Sequence, residues 1–222
     1  MPAMRLRLPV ICFLSLFLLT ACITVPRIIQ QTKQTTSGAD GKSTTPALPT
    51  FVAPLEPFAE RITKKTFGLK VSPGHSPVQP ERFSGYHTGI DLETFPDEQT
   101  TDVPIVAACE GTLVLRRWVS GYGGVAVETC TINGASVTVI YGHLSFSSIT
   151  ATLSAPLAVG ERIGVLGQGR SHETDGERKH LHFGIHRGRA LELRGYVQNP
   201  AELAAWIDPA ATMVQKMNPT PQ

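Results

Sequence analysis

The chain has 222 residues, 41% of them hydrophobic and 17% charged, with a formal net charge of +2. That suffices for one domain of ordinary size with appendages, and it is too apolar for a disordered chain. Without Arg5 and Arg7, which lie in a segment expected to be removed, basic and acidic residues balance at 18 each, which argues against nucleic acid or another polyanion as partner.

Residues 1–21 read as an export signal. Arg5 and Arg7 supply the positive region, and Leu8 to Leu19 supply an apolar stretch that is short for a spanning helix. Leu19-Thr20-Ala21-Cys22 resembles the bacterial lipoprotein processing box, which implies cleavage before Cys22 and lipid on that residue. Acylation of this kind anchors a protein because each buried methylene contributes about 0.8 kcal/mol. The resemblance implies an exported envelope lipoprotein on the periplasmic face. Ile23, where lipoproteins kept in the inner membrane often carry Asp, favours an outer membrane. Residues 22–57, rich in Thr, Ser, Gly, Gln and Pro from Gln30 to Pro57, are expected to be a flexible tether.

From Thr66 the pattern is strand and turn. Short β-branched runs occur at Val103 to Ala108, Thr112 to Val119, Gly124 to Cys130, Ser136 to Tyr141 and Arg162 to Leu166, and Asn133-Gly134 is a strong hairpin signal. Strand and helix do not alternate. Pro200 to Ile207 is expected to be a short helix capped by Asn199. The expectation is a compact antiparallel β domain over 58–210 and a flexible tail over 211–222. Of the four cysteines, Cys12 leaves with the signal and Cys22 carries lipid. Cys109 and Cys130 flank a hairpin in an exported protein, a setting that allows a disulfide.

Five residues carry the chemistry: His87, Asp91, His143, His180 and His182. Residues two apart on a strand share a face, so His180 and His182 can enter one pocket. His87 and Asp91 are four apart, and a straight strand would separate them by roughly 13 Å, at about 3.3 Å per residue. The chain must bend between them to share one ion, and Gly89 is the residue that can allow it. A catalytic zinc needs three protein ligands and an open position, which leaves two imidazoles for proton chemistry. Spacing leaves open which of His180 and His182 binds the metal. His75, His172 and His186 have no such partners in the sequence.

In order and surroundings these elements resemble the lysostaphin/LytM-type zinc metallo-endopeptidases, which cut peptide cross-links in bacterial peptidoglycan. The resemblance runs from about Phe67 to Asp208, through His87-Thr88-Gly89-Ile90-Asp91, Tyr141-Gly142-His143-Leu144-Ser145, Val159-Gly160-Glu161-Arg162-Ile163-Gly164 and His180-Leu181-His182-Phe183-Gly184-Ile185. It implies an antiparallel β fold with an open groove and one Zn²⁺ per chain. It assigns His87, Asp91 and His182 as metal ligands and His143 and His180 as catalytic histidines. One departure is the polar segment Gly167 to Lys179, longer than in many relatives. Two alternative functions are a non-catalytic activator of cell-wall amidases and a zinc-binding envelope lipoprotein. The intact five-residue set argues against the first, and the unclustered histidines argue against the second.

Overall fold

The computed structural model describes residues 50–217. The expected signal segment, Cys22 and most of the expected tether lie outside them. In chain order the strands are β1 (Lys70–Val71), β2 (Gly85–His87), β3 (Gly89–Glu93), β4 (Pro104–Val106), β5 (Gly111–Val119) and β6 (Gly123–Ile132). There follow β7 (Ala135–Leu144), β8 (Pro156–Leu157), β9 (Arg162–Val165), β10 (His180–Arg187), β11 (Tyr196–Val197), β12 (Trp206–Ile207) and the helix α1 (Pro209–Met217). The main sheet runs β12-β10-β7-β6-β5-β8 with β3 also on β10; β1-β2-β11 and β4-β9 form two smaller sheets. All these pairings are antiparallel. This is the antiparallel β domain that the strand-and-turn pattern predicts. No helix among the described residues is long and apolar enough to cross a membrane.

The period of two decides which side chains reach the site. On β10, Leu181, Phe183 and Ile185 are fully buried in the main core, beside Ile90 and Leu92 of β3 and Val137, Val139 and Tyr141 of β7. The alternate residues His180, His182, Asp91 and Glu93 therefore turn to the opposite face. His182 stands directly across the ladder from Asp91. Directly opposed residues share a face, so register alone brings these two together. Asn133 and Gly134, both at positive φ (50° and 78°), make the tight turn between β6 and β7.

Gly89 has a different part from the one expected. The chain breaks at Thr88, between β2 in the small sheet and β3 in the large one. Gly89 is needed for close approach: a Cβ there would overlap the carbonyl oxygen of Phe183 on β10.

Three expected boundaries shift. The tether does not extend to Pro57, because Phe51, Ala53 and Leu55 are buried in the main core and Phe51 bridges to Cys109. The tail does not begin at 211, because α1 continues to Met217 and buries Thr212 and Met213. Pro200 to Ile207 is not one helix. A 3-10 segment, Pro200–Ala205, is capped by Asn199, whose side chain accepts from the Ala201 N–H. Trp206 then leaves it to pair with His186 of β10.

Cys109 and Cys130 are bridged, with their Cα atoms 6.3 Å apart. Closing that loop is worth about 3 kcal/mol in the chain-entropy model. Beside the bridge lies Glu128, fully buried, its Oε1 accepting from the Tyr141 hydroxyl and, at 3.2 Å, from the Ala108 N–H. Burial pushes this carboxyl from 4.5 up to about 7. The folded chain therefore holds a proton that the unfolded chain has lost, and the stability from that difference fades as pH rises between those values. Glu128→Gln removes this titration. The stability difference, variant minus wild type, should rise by about 3 kcal/mol between about pH 4.5 and about pH 7. Urea unfolding across that range checks this; a difference that does not move with pH would show that Glu128 is ionised in the fold throughout.

Candidate metal centre

His87 ends β2, Asp91 lies in β3 and His182 lies in β10, and all three are buried. Three of their atoms form a nearly regular triangle. His87 Nε2 is 3.0 Å from His182 Nδ1 and 3.3 Å from Asp91 Oδ1, and His182 Nδ1 is 3.4 Å from Asp91 Oδ1. A tetrahedral zinc with bonds of about 2.0–2.2 Å separates its ligands by about 3.3–3.5 Å, so the donor set fits this ion. Asp91 Oδ1 is buried and has no hydrogen bond. Nδ1 of His87 donates a hydrogen bond to the Thr66 carbonyl at 3.2 Å, which leaves the Nε2 lone pair directed into the triangle. A second grouping, Cys109, Glu128 and Cys130, has its sulfurs committed to the disulfide.

The charge states suit a metal. Burial favours a neutral carboxyl at Asp91, but His180 and His87 outweigh it and hold the group well below the usual carboxylate range. Burial brings the His182 imidazole down to about 4, so at neutral pH it is an unprotonated donor. Burial, with His180 second, also holds His143 well below its usual value.

The other two histidines lie beside the triangle. The His143 and His180 rings are 4.3 Å apart, and His180 Nε2 is 3.3 Å from Asp91 Oδ2. His143 reaches this face through a backbone irregularity. In a regular strand it would follow Val139 and Tyr141 into the core. Gly142 instead pairs with Val125 and Leu144 with Gly124, which leaves His143 unpaired as a bulge with φ at +64°. Leu144 takes the core position, and the imidazole turns to the site. Backbone strain of this kind costs of order 1–3 kcal/mol and gathers at functional positions.

The site opens into a cleft of about 310 Å³, whose lining includes Tyr122, His143, Arg178, His180, His182 and Tyr196. The Tyr122 ring packs edge-on to His182 and tilted to His143. Tyr196, directly across the ladder from His87, accepts a hydrogen bond from Lys65 Nζ at 2.8 Å. The long polar segment forms an anchored wall. Trp118 Nε1 donates to the His172 carbonyl, Ser145 Oγ to Glu173, and the Gly121 N–H to Asp175, while Arg82 pairs with Glu177.

The structure thus brings all five predicted residues together. His75, His172 and His186 stand outside the group; His172 stacks on Trp118 and His186 packs edge-on to Trp206. Sequence reasoning missed Tyr122, Tyr196, Glu93 and Arg178. One signal for two of them was present: Arg178 continues the alternate positions of His180 and His182, and Glu93 continues that of Asp91.

Residues 85–195, which hold all five residues, match peptidase family M23. Among solved structures, LytU is 25% identical, with 70% of this chain and 85% of that one covered and a TM-score of 0.46. A zinc-containing peptidase of Vibrio cholerae is 20% identical over 55% of this chain and 33% of its own, with a TM-score of 0.36. A SpoIIIAH–SpoIIQ complex contributes a chain 19% identical over 68% of this chain and 98% of its own, with a TM-score of 0.45. No curated protein sequence matches.

Proposed function

The chain belongs to peptidase family M23, and from that membership and the site's geometry we propose that it is a zinc-dependent endopeptidase that hydrolyses peptide cross-links of bacterial peptidoglycan. The observation that carries the proposal is the triangle of His87 Nε2, Asp91 Oδ1 and His182 Nδ1 beside two further buried imidazoles. These three residues would hold one zinc ion. A zinc ion supplies a Lewis acid that polarises a carbonyl and brings the pKa of a water down to about 7.

The remaining steps fall to the chain's own groups. No His-Glu-x-x-His pattern occurs in the sequence, so an imidazole takes the place of the usual glutamate base. His180 is fixed by Nδ1, which donates to the Arg178 carbonyl at 2.9 Å, and a proton taken up at Nε2 would lie 3.3 Å from Asp91 Oδ2. His143, kept neutral by burial, can donate one N–H to a developing oxyanion or to the leaving amine. The charged groups of the cleft are mutually compensated: Lys65 pairs with Glu81, Arg194 with Glu192 and Glu202, and Arg178 with Asp91 and Glu93. A peptide bond suits such a cleft better than a polyanion. The test is release of new amino groups from purified sacculi: the wild-type chain should release them, a chelator should stop the release, and added zinc should restore it. Hydrolysis indifferent to chelator would overturn the zinc dependence.

Membrane attachment through lipid on Cys22 is part of the same proposal and places the enzyme in the cell envelope, on the periplasmic face. Cys22→Ser should move the chain from the membrane fraction to the soluble fraction, because the atom that carries the lipid is gone. Retention of an uncleaved variant in membranes would instead point to a simple anchor.

A further inference from the structure

We propose that Arg178 is a positioning residue that locks Asp91 so that Oδ1 alone is offered to the metal. The inference rests on the zinc reading above. Arg178 lies next to the end of the polar segment that departs from the family pattern, two residues before His180. Its Nη2 donates to Asp91 Oδ2 at 2.7 Å and to Glu93 Oε1 at 2.5 Å, and its Nε donates to both Glu93 oxygens at 3.0 Å. The side chain is 11% exposed and that of Asp91 is 2% exposed. Lys64 reaches Glu93 from solvent at 3.2 Å, so two carboxylates and two cations balance before any metal enters.

The two oxygens of Asp91 therefore have different surroundings. Oδ2 is committed to the guanidinium and faces His180 Nε2 at 3.3 Å. Oδ1 has no hydrogen bond and faces the two imidazole nitrogens of the triangle. A carboxylate free to turn can grip a metal through both oxygens and so occupy the position that substrate chemistry needs open. The Nε/Nη2 fork grips Glu93 in a fixed geometry, which aims the second Nη2 proton at Asp91 Oδ2 and holds that carboxylate in one orientation as a lysine ammonium cannot. The Arg178 carbonyl also accepts the Nδ1 proton of His180. One residue thus sets the orientation of a ligand through its side chain and of a catalytic imidazole through its backbone. Asp175, Glu177 and His172 fasten the segment to the surrounding turns, which keeps the guanidinium in place.

Arg178→Lys separates the fork from the charge, and it keeps the carbonyl that orients His180. In the purified full-length chain, zinc affinity by chelator competition should fall about 10- to 100-fold in this variant, the range for outer-shell partners of metal ligands. The Co²⁺-loaded variant should absorb more weakly in the visible than the Co²⁺-loaded wild type, because Asp91 is then free to add its second oxygen and raise the coordination number. Glu93→Gln, which leaves Arg178 and Asp91 in place and loosens the far end of the fork, should move both readouts in the same direction by less, and it decides the question if Arg178→Lys does not fold. Zinc affinity within about twofold of wild type together with an unchanged cobalt spectrum in the folded variants would overturn the clamp alone. A wild-type chain that binds neither metal would overturn the clamp and the zinc reading together.

Discussion

His182→Ala should leave the chain folded but free of zinc and without hydrolytic activity. The imidazole supplies one corner of the ligand triangle through Nδ1, and alanine cannot replace it. The fold should survive because the residues on either side, Leu181 and Phe183, hold β10 to the core through the opposite face. Burial brings this imidazole down to about 4, so protonation of His182 should not displace zinc from the wild-type site until well below neutrality. Elemental analysis of the purified variant, with circular dichroism to verify the fold, checks this. Full zinc content in a folded His182→Ala chain would mean that another residue completes the set.

His143→Ala and His180→Ala should give the complementary result, with zinc retained and hydrolysis reduced by about 10²- to 10⁴-fold, the usual worth of a positioned acid or base. Neither ring forms part of the triangle, and the two lie tilted to each other 4.3 Å apart beside it. His143→Ala removes the imidazole but keeps the Cβ at φ +64° and the bulge, because the shifted pairing of β6 with β7 and the burial of Leu144 remain. The measurements are zinc per chain and the rate of amine release from sacculi. A metal-free His180→Ala chain beside a metal-replete His182→Ala chain would reverse the roles of the two residues.

Much of the site was legible because alternation on a strand is a local property. Leu181, Phe183 and Ile185 mark one face of β10, and His180 and His182 follow on the other. The choice between those two histidines was not legible, since it depends on the register that sets His182 opposite Asp91 and turns its Nδ1 toward His87 Nε2. The position of His143 was hidden for a related reason. Its neighbours Val139 and Tyr141 predict a core side chain, and only a bulge against Gly124 and Val125 reverses that. Arg178 lies in a polar stretch whose composition reads as loop, and its meaning appears only once Asp91 and Glu93 are folded against it. The antiparallel fold followed from turn signals, whereas cysteine placement only allowed the Cys109–Cys130 bridge, which needs the folded hairpin to bring its ends together. The start of the packed chain did not, because Phe51 is buried by a long-range bridge to Cys109.

The triangle of His87, Asp91 and His182 is proposed to support hydrolysis of a peptide bond in the cell wall. The most direct measurement is mass analysis of muropeptides from sacculi incubated with the zinc-loaded wild-type chain and, in parallel, with the His182→Ala chain. Cross-linked dimers should decline with wild type and monomers with new amino and carboxyl ends should accumulate, with no change for the variant. A wild-type chain that binds zinc yet leaves every cross-linked species intact, from directly and indirectly bridged peptidoglycan alike, would contradict the enzyme and favour a regulator of other hydrolases.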